Sequence, residues 1–307
     1  MFASLLLIAV LALSIFFVEQ PATSTAIFIW QRDIEDVLFA MPWLNYLLTV
    51  GLIALNAHQL NNLFNQNGFF PRATFLAGLM YVICLMLFDG LMIQFELLAH
   101  LFVIFSLMFI FQMRRQEPAK DFIFKASFLA GLAIVFSPML APLLLAPWIS
   151  LVIFKPFIWR EWLLAVLGLL LPTVYHYSMM YLLTSDTSVN ITSMHIGEQF
   201  PQFGELQVVS LILFGLIVLV SAWRLLVIRT QQVVRFKKLA AFVFYLFVLT
   251  ALSLVFGWFL YGQVVLTFIV PLAVVIAINF LNSRNETFAN IVVVCWFIIS
   301  GINLFIY

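Results

Sequence analysis

Carboxylates and imidazoles are scarce in this 307-residue chain, with 13 Asp and Glu and 4 His, so those in or beside apolar runs stand out. Glu96 and His100 lie four positions apart in an apolar stretch, which puts them on one face of a helix. A carboxylate beside an imidazole can act as a general base. His176 falls in another apolar run, among Tyr175, Tyr177 and Tyr181. Asp33, Glu35 and Asp36 cluster after the first apolar run, and oxygen ligands of this kind can hold a divalent cation together with phosphate oxygens. Asp89 precedes Gly90, and His195 and Glu198 sit in a polar stretch. Ionisable groups at membrane depth are costly and are functional candidates by default.

Each group also has a plainer role. Asp33, Glu35 and Asp36 suit the solvated face of a helix lying in the membrane interface. Glu96 with His100 suits an interhelical polar contact that orders packing. Asp89 can end a turn, His195 can be simply solvated, and His58, beside Asn61, Asn62, Asn65 and Asn67, can cap a helix end. Cys84 and Cys295 sit inside apolar runs as small fillers. No Cys/His spacing suits a metal, so neither metal nor cofactor is specified.

The elements that must position these groups follow from composition. Hydrophobic residues make up 65% of the chain and charged residues 9%, whereas soluble domains carry roughly 25% charged residues. Such a chain must face lipid and its own helices. The net charge of +1 gives no footprint for nucleic acid. Crossing a hydrocarbon core of about 30 Å takes about 20 apolar helical residues. Runs at 1–18, 43–62, 73–89, 91–112, 162–184, 206–228, 239–257, 263–281 and 288–307 meet this. The first lacks a basic flank and a good cleavage site, so it is expected as a retained span.

Sidedness follows from lysine and arginine near span ends. With the N-terminus in the cytoplasm, all but Arg32 of the 14 basic residues fall inside. Lys125 and Lys155 then both lie inside, so residues 126–154, broken at Ser137-Pro138 and Pro142, must enter and return as a short-helix hairpin. The expected fold is all-α: a single polytopic transmembrane bundle over 1–307, of about nine spans plus the hairpin. The C-terminus falls outside, as do long loops at 19–42 and 185–205. The acids and imidazoles named above, His58 apart, collect toward the outer side, where they could line an outward-facing polar cavity. The 35 phenylalanines, spread over the spans, suit aromatic packing against lipid and neighbouring helices.

The stretch Lys155-Pro156-Phe157-Ile158-Trp159-Arg160-Glu161-Trp162, with Leu60-Asn61-Asn62-Leu63-Phe64-Asn65 and Phe70-Pro71-Arg72, resembles a family of multi-pass inner-membrane proteins from Bacteroidota. Some of its members are called beta-carotene monooxygenases. That chemistry needs several histidines around iron, and the topology puts His58 at the opposite face from His100, His176 and His195. The resemblance covers nearly the whole chain and implies an inner-membrane location but no catalytic residue. Trp159 and Trp162 read as interfacial anchors beside Lys155 and Arg160.

The Asp33-x-Glu35-Asp36 cluster outside the first span, and the long spans interrupted by a short hairpin, look similar to membrane glycosyltransferases of the GT-C fold. That likeness implies transfer from a lipid-linked sugar or polyprenyl-phosphate at the outer face. Asp33, Glu35 and Asp36 would then supply base or metal contact, with Glu96, His100 and His176 lining the cavity. Against it stands a non-enzymatic scaffold or transport-type subunit that binds membrane lipid or another envelope protein. The lack of any strong catalytic motif favours the scaffold.

Overall fold

The computed structural model describes residues 34, 40–69, 74–87, 95–113, 119–155, 157–184, 205–231, 234–261, 268–281 and 291–296. Among them there is no strand. The helices are α1 (Pro42–Gln66), α2 (Leu76–Leu87), α3 (Phe95–Met113), α4 (Lys120–Phe136), α5 (Ala146–Phe154), α6 (Trp159–Thr184), α7 (Glu205–Gln231), α8 (Val234–Tyr261) and α9 (Ile269–Leu281). A 3-10 segment, Pro138–Leu145, joins α4 to α5. Three described helical stretches are long and apolar enough to cross a membrane: Phe95–Met113, Trp159–Met179 and Lys237–Val255. With the composition, they place the chain among helical membrane proteins. The expected span 1–18, most of the loop 19–42, nearly all of 185–205 and most of 288–307 lie outside the described residues.

Local chemistry accounts for the helix boundaries. Pro42 opens α1, a position whose amide needs no helical partner. Its C-terminus closes through Gly68 at φ +72, the left-handed conformation that glycine adopts without strain. Gly68 N–H donates to Asn65 O at 3.3 Å and Phe69 N–H to Phe64 O at 3.3 Å. The two rings that this brings together, Phe64 and Phe69, lie 4.8 Å apart. This is a Schellman closure with its apolar contact. Asn65 then ties the turn to the next helix, donating to Thr74 O at 2.9 Å and accepting from Thr74 N–H at 3.3 Å. His58, expected as the cap of this end, instead lies two turns inside α1 and pairs with Asn62 at 2.9 Å, while Asn67 Nδ2 donates to Leu63 O at 2.7 Å.

The expected break at Ser137 is present. Ser137 is extended, as the residue before a proline must be. Helix α4 begins at Lys120, six positions before the expected 126, with Asp121 in its first turn, where the helix dipole favours an acid.

Helix α4 lies between α3 and α6 and packs most extensively on α6. Helix α3 also meets α1, α1 meets α2, and α2 meets α9, which packs in turn on α7 and α8. From Ile269 to Asn279 every residue of α9 is buried. The α4–α6 approach is close because glycines face backbone on both sides. A Cβ on Gly168 would stand 2.8 Å from Phe124 O and 2.8 Å from Ser127 Cβ, and one on Gly131 would stand 2.9 Å from Leu169 O. Small residues at such crossings let membrane helices gain dispersion contact, since apolar burial gains little against lipid. Ser106 of α3 adds a polar tie, donating to Ala126 O of α4 at 2.8 Å.

Much of the phenylalanine content serves packing between helices. Phe64, Phe111, Phe242 and Phe154 form a chain across α1, α3, α8 and α5, with successive centroids 5.8, 5.8 and 5.5 Å apart. The first two pairs are edge-to-face and the third is tilted; aromatic pairs at these separations add to the contact their area provides. The two cysteines differ: both are unbridged, but Cys84 is buried and Cys295 is exposed, so only the first fills a core.

Candidate functional site

The most enclosed polar constellation among the described residues joins α1, α2 and α3. Asn56, Tyr81 and His100 are all 0% exposed. Asn56 Nδ2 donates to Leu97 O at 3.0 Å and to the Tyr81 hydroxyl at 3.3 Å. Tyr81 Oη and His100 Nδ1 are 2.8 Å apart. With the hydroxyl already accepting from Asn56, the network assigns its proton to His100 Nδ1, leaving the ring proton on Nε2. Two groups of the cluster are then unspent: His100 Nε2 and Asn56 Oδ1 are buried without a partner.

What can this arrangement do? A neutral imidazole in a dry setting can pass a proton only if a path reaches water or a substrate. Each of the three side chains is shut off from the surface, and the spare groups face the interior. The chemistry available is mutual ordering: three helices fixed in register by one amide, one phenol and one imidazole.

Of the candidate acids and imidazoles on the outer side, Glu96, His100 and His176 fall among the described residues. His100 belongs to the cluster just described. Glu96 is partly buried in the first turn of α3, where the dipole favours a carboxylate. His176 is half-buried on α6, its ring 5.7 Å from that of Tyr177, and α4 lies between that helix and α3. Tyr175, Tyr177 and Tyr181 point away from the bundle, all of them exposed. Asp33, Glu35, Asp36, Asp89, His195 and Glu198 lie outside the described residues. Among the described residues no group of three or more His, Cys, Asp or Glu stands close enough to hold a metal.

Sequence reasoning missed Asn56 and Tyr81. The signal for Asn56 was an amide in the middle of the apolar run 43–62; weighing only titratable groups passed it over. A second cluster was missed in part. Arg224 of α7 donates to Asn279 Oδ1 of α9 at 3.0 Å and to Asn279 O at 3.3 Å. Asn279 Nδ2 donates to Ser221 Oγ at 2.8 Å. Arg224, expected only to set topology, thus serves packing, and it meets the C-terminal end of α9, where a cation is favoured. Asn279→Leu should lower stability by about 1–3 kcal/mol, because a part-buried guanidinium loses its side-chain acceptor and Ser221 Oγ its donor. Thermal unfolding of the full-length protein in detergent reads this; an unchanged midpoint would show the clamp to be idle.

Comparison with protein-family models, with curated proteins and with solved structures finds no match for this chain.

Proposed function

We propose that this chain is a multi-pass bacterial inner-membrane protein that acts as a non-enzymatic scaffold or transport-type subunit, binding lipid or a membrane partner along an apolar wall. The observation that carries this is the outer face of α6. Its Trp159–Met179 window is 22% buried, against 56% for Phe95–Met113 and 50% for Lys237–Val255. Leu163, Leu167, Leu170, Val174, Tyr177 and Tyr181 are exposed, and they alternate steps of four and three, the spacing of a helix seam. A continuous apolar stripe beside a sealed polar core is what a binding subunit needs and what an enzyme with an open polar cleft would lack. The topology in this proposal is about nine spans with the 126–154 hairpin returning to the cytoplasm, as basic residues demand. The resemblance to inner-membrane proteins of Bacteroidota agrees with it.

A GT-C-like transferase is the second reading, favoured by one observation: His100, one turn after Glu96, keeps a ring nitrogen without a partner. One set of variants decides between the two. Asp33→Asn, Glu35→Gln, Asp36→Asn and Glu96→Gln should each keep normal abundance and restore growth or envelope integrity to cells lacking the protein. Loss of rescue by any of them at normal abundance would overturn the scaffold and support the transferase. Sidedness has its own check. An impermeant amine reagent applied to intact cells should leave Lys120 and Lys237 unmodified, and their labelling would reverse the topology.

A further inference from the structure

Between Lys155, which ends α5, and Trp159, which begins α6, the chain turns through Phe157 and Ile158. The turn leaves a surface groove of about 440 Å³ lined by Trp148, Phe157, Trp159, Trp162, Leu163 and Val166. Every lining side chain is apolar or aromatic. Phe157 is 75% exposed and Trp159 59%, so two of the walls are held open rather than folded inward. One cation stands at the rim. The Arg160 guanidinium lies 5.7 Å from the Trp159 ring centroid, within the range of cation–π attraction, and Lys155 caps α5, the helix that carries Trp148. The nearest acid in sequence, Glu161, is 2% exposed and takes no part in the lining.

We propose that this groove is a site for one anionic phospholipid, with an acyl chain between the tryptophans and its phosphate held by Arg160. The volume falls in the range of about 300–1,000 Å³ typical of small-ligand sites. It suits a methylene chain better than a helix, which is about 10–12 Å across. The Arg160 guanidinium at the rim selects the headgroup: a zwitterionic lipid gains nothing net from that cation, whereas an anionic one does. The assignment rests on the topology proposed above, which puts this turn at the cytoplasmic leaflet, where anionic lipids and basic residues meet.

The test uses the full-length protein reconstituted into phosphatidylcholine vesicles doped with phosphatidylglycerol brominated on its acyl chains, with brominated phosphatidylcholine as reference. Bromine quenches nearby tryptophans, so quenching reads occupancy of the groove. Wild-type protein should prefer the brominated phosphatidylglycerol by about fivefold, the worth of one basic group near an anionic headgroup. R160Q should quench equally with both lipids. V166F, which fills the slot and keeps the charge, should also lose the preference. Each variant must match wild type in helical circular dichroism and in its elution from a sizing column. A wild type quenched equally by both lipids, or a preference that survives in either variant, overturns the site. That failure leaves the topology standing, while outside labelling of Lys120 or Lys237 overturns the topology without touching the quenching ratio.

Discussion

Gly168→Leu should abolish the folded bundle: the variant is expected at a small fraction of wild-type abundance in the membrane, with no cooperative thermal transition in detergent. The cause is the α4–α6 contact. A Cβ at Gly168 already meets the carbonyl oxygen of Phe124 at 2.8 Å and the backbone nitrogen of Phe128 at 3.1 Å. Backbone atoms cannot swing aside as a long side chain would, so the helices must separate. Gly168→Ala is the informative milder case. Alanine gains about 1 kcal/mol of helix propensity over glycine, while overpacking costs about 1–3 kcal/mol. The clash should win, and stability should fall by up to about 2 kcal/mol. Gly131→Ala, facing Leu169 O at 2.9 Å and the Pro172 ring at 3.0 Å, should behave alike. Gly51 and Gly215 supply the control, since a Cβ there meets nothing within 4 Å; their alanine variants should be neutral or slightly stabilised. Equal effects at all four glycines would mean that propensity, not helix contact, governs these positions.

The contrast between those glycines marks where the sequence stops being informative. Helix positions and ends were readable: α1 begins at Pro42 and the chain breaks at Ser137, because proline acts on its own neighbours. Facing was not. In a soluble helix a polar stripe tells which side is buried, but here lipid and core are equally apolar. Gly51 and Gly168 therefore look the same in sequence, although one is open and the other jammed against backbone. The tyrosines around His176 show the same blindness: nothing in their spacing tells that Tyr175, Tyr177 and Tyr181 are all exposed. His100 was singled out for its cost at depth, but its partner Tyr81 lies 19 positions upstream, and Asn56, which donates to that tyrosine, lies 44 upstream. Nothing local to His100 names them.

Those partners allow the role of His100 to be measured. Tyr81→Phe removes one hydroxyl from a fully buried site, leaving His100 Nδ1 without a donor and Asn56 Nδ2 with only the Leu97 carbonyl. Leaving a buried polar atom unpaired costs about 1–3 kcal/mol, whereas interhelical hydrogen bonds in membranes average nearer 0.6 kcal/mol, because the unfolded helices also find partners. A loss of about 1–2 kcal/mol is expected, as two groups are stranded at once. His100→Leu should cost a similar amount, leaving the tyrosine hydroxyl without its acceptor. The double variant is the decisive one. With both polar ends replaced by apolar groups of similar bulk, no donor faces an empty acceptor across that contact, so the combined loss should be well below the sum of the two single losses. Denaturant unfolding of the four proteins in one detergent closes the cycle. Simple additivity would mean that Tyr81 and His100 are not coupled, and the polar cluster would then not be what holds α2 against α3. A His100→Leu protein as stable as wild type but unable to rescue cells lacking the chain would point the other way: the spare Nε2 would be reserved for chemistry, and the transferase would displace the scaffold.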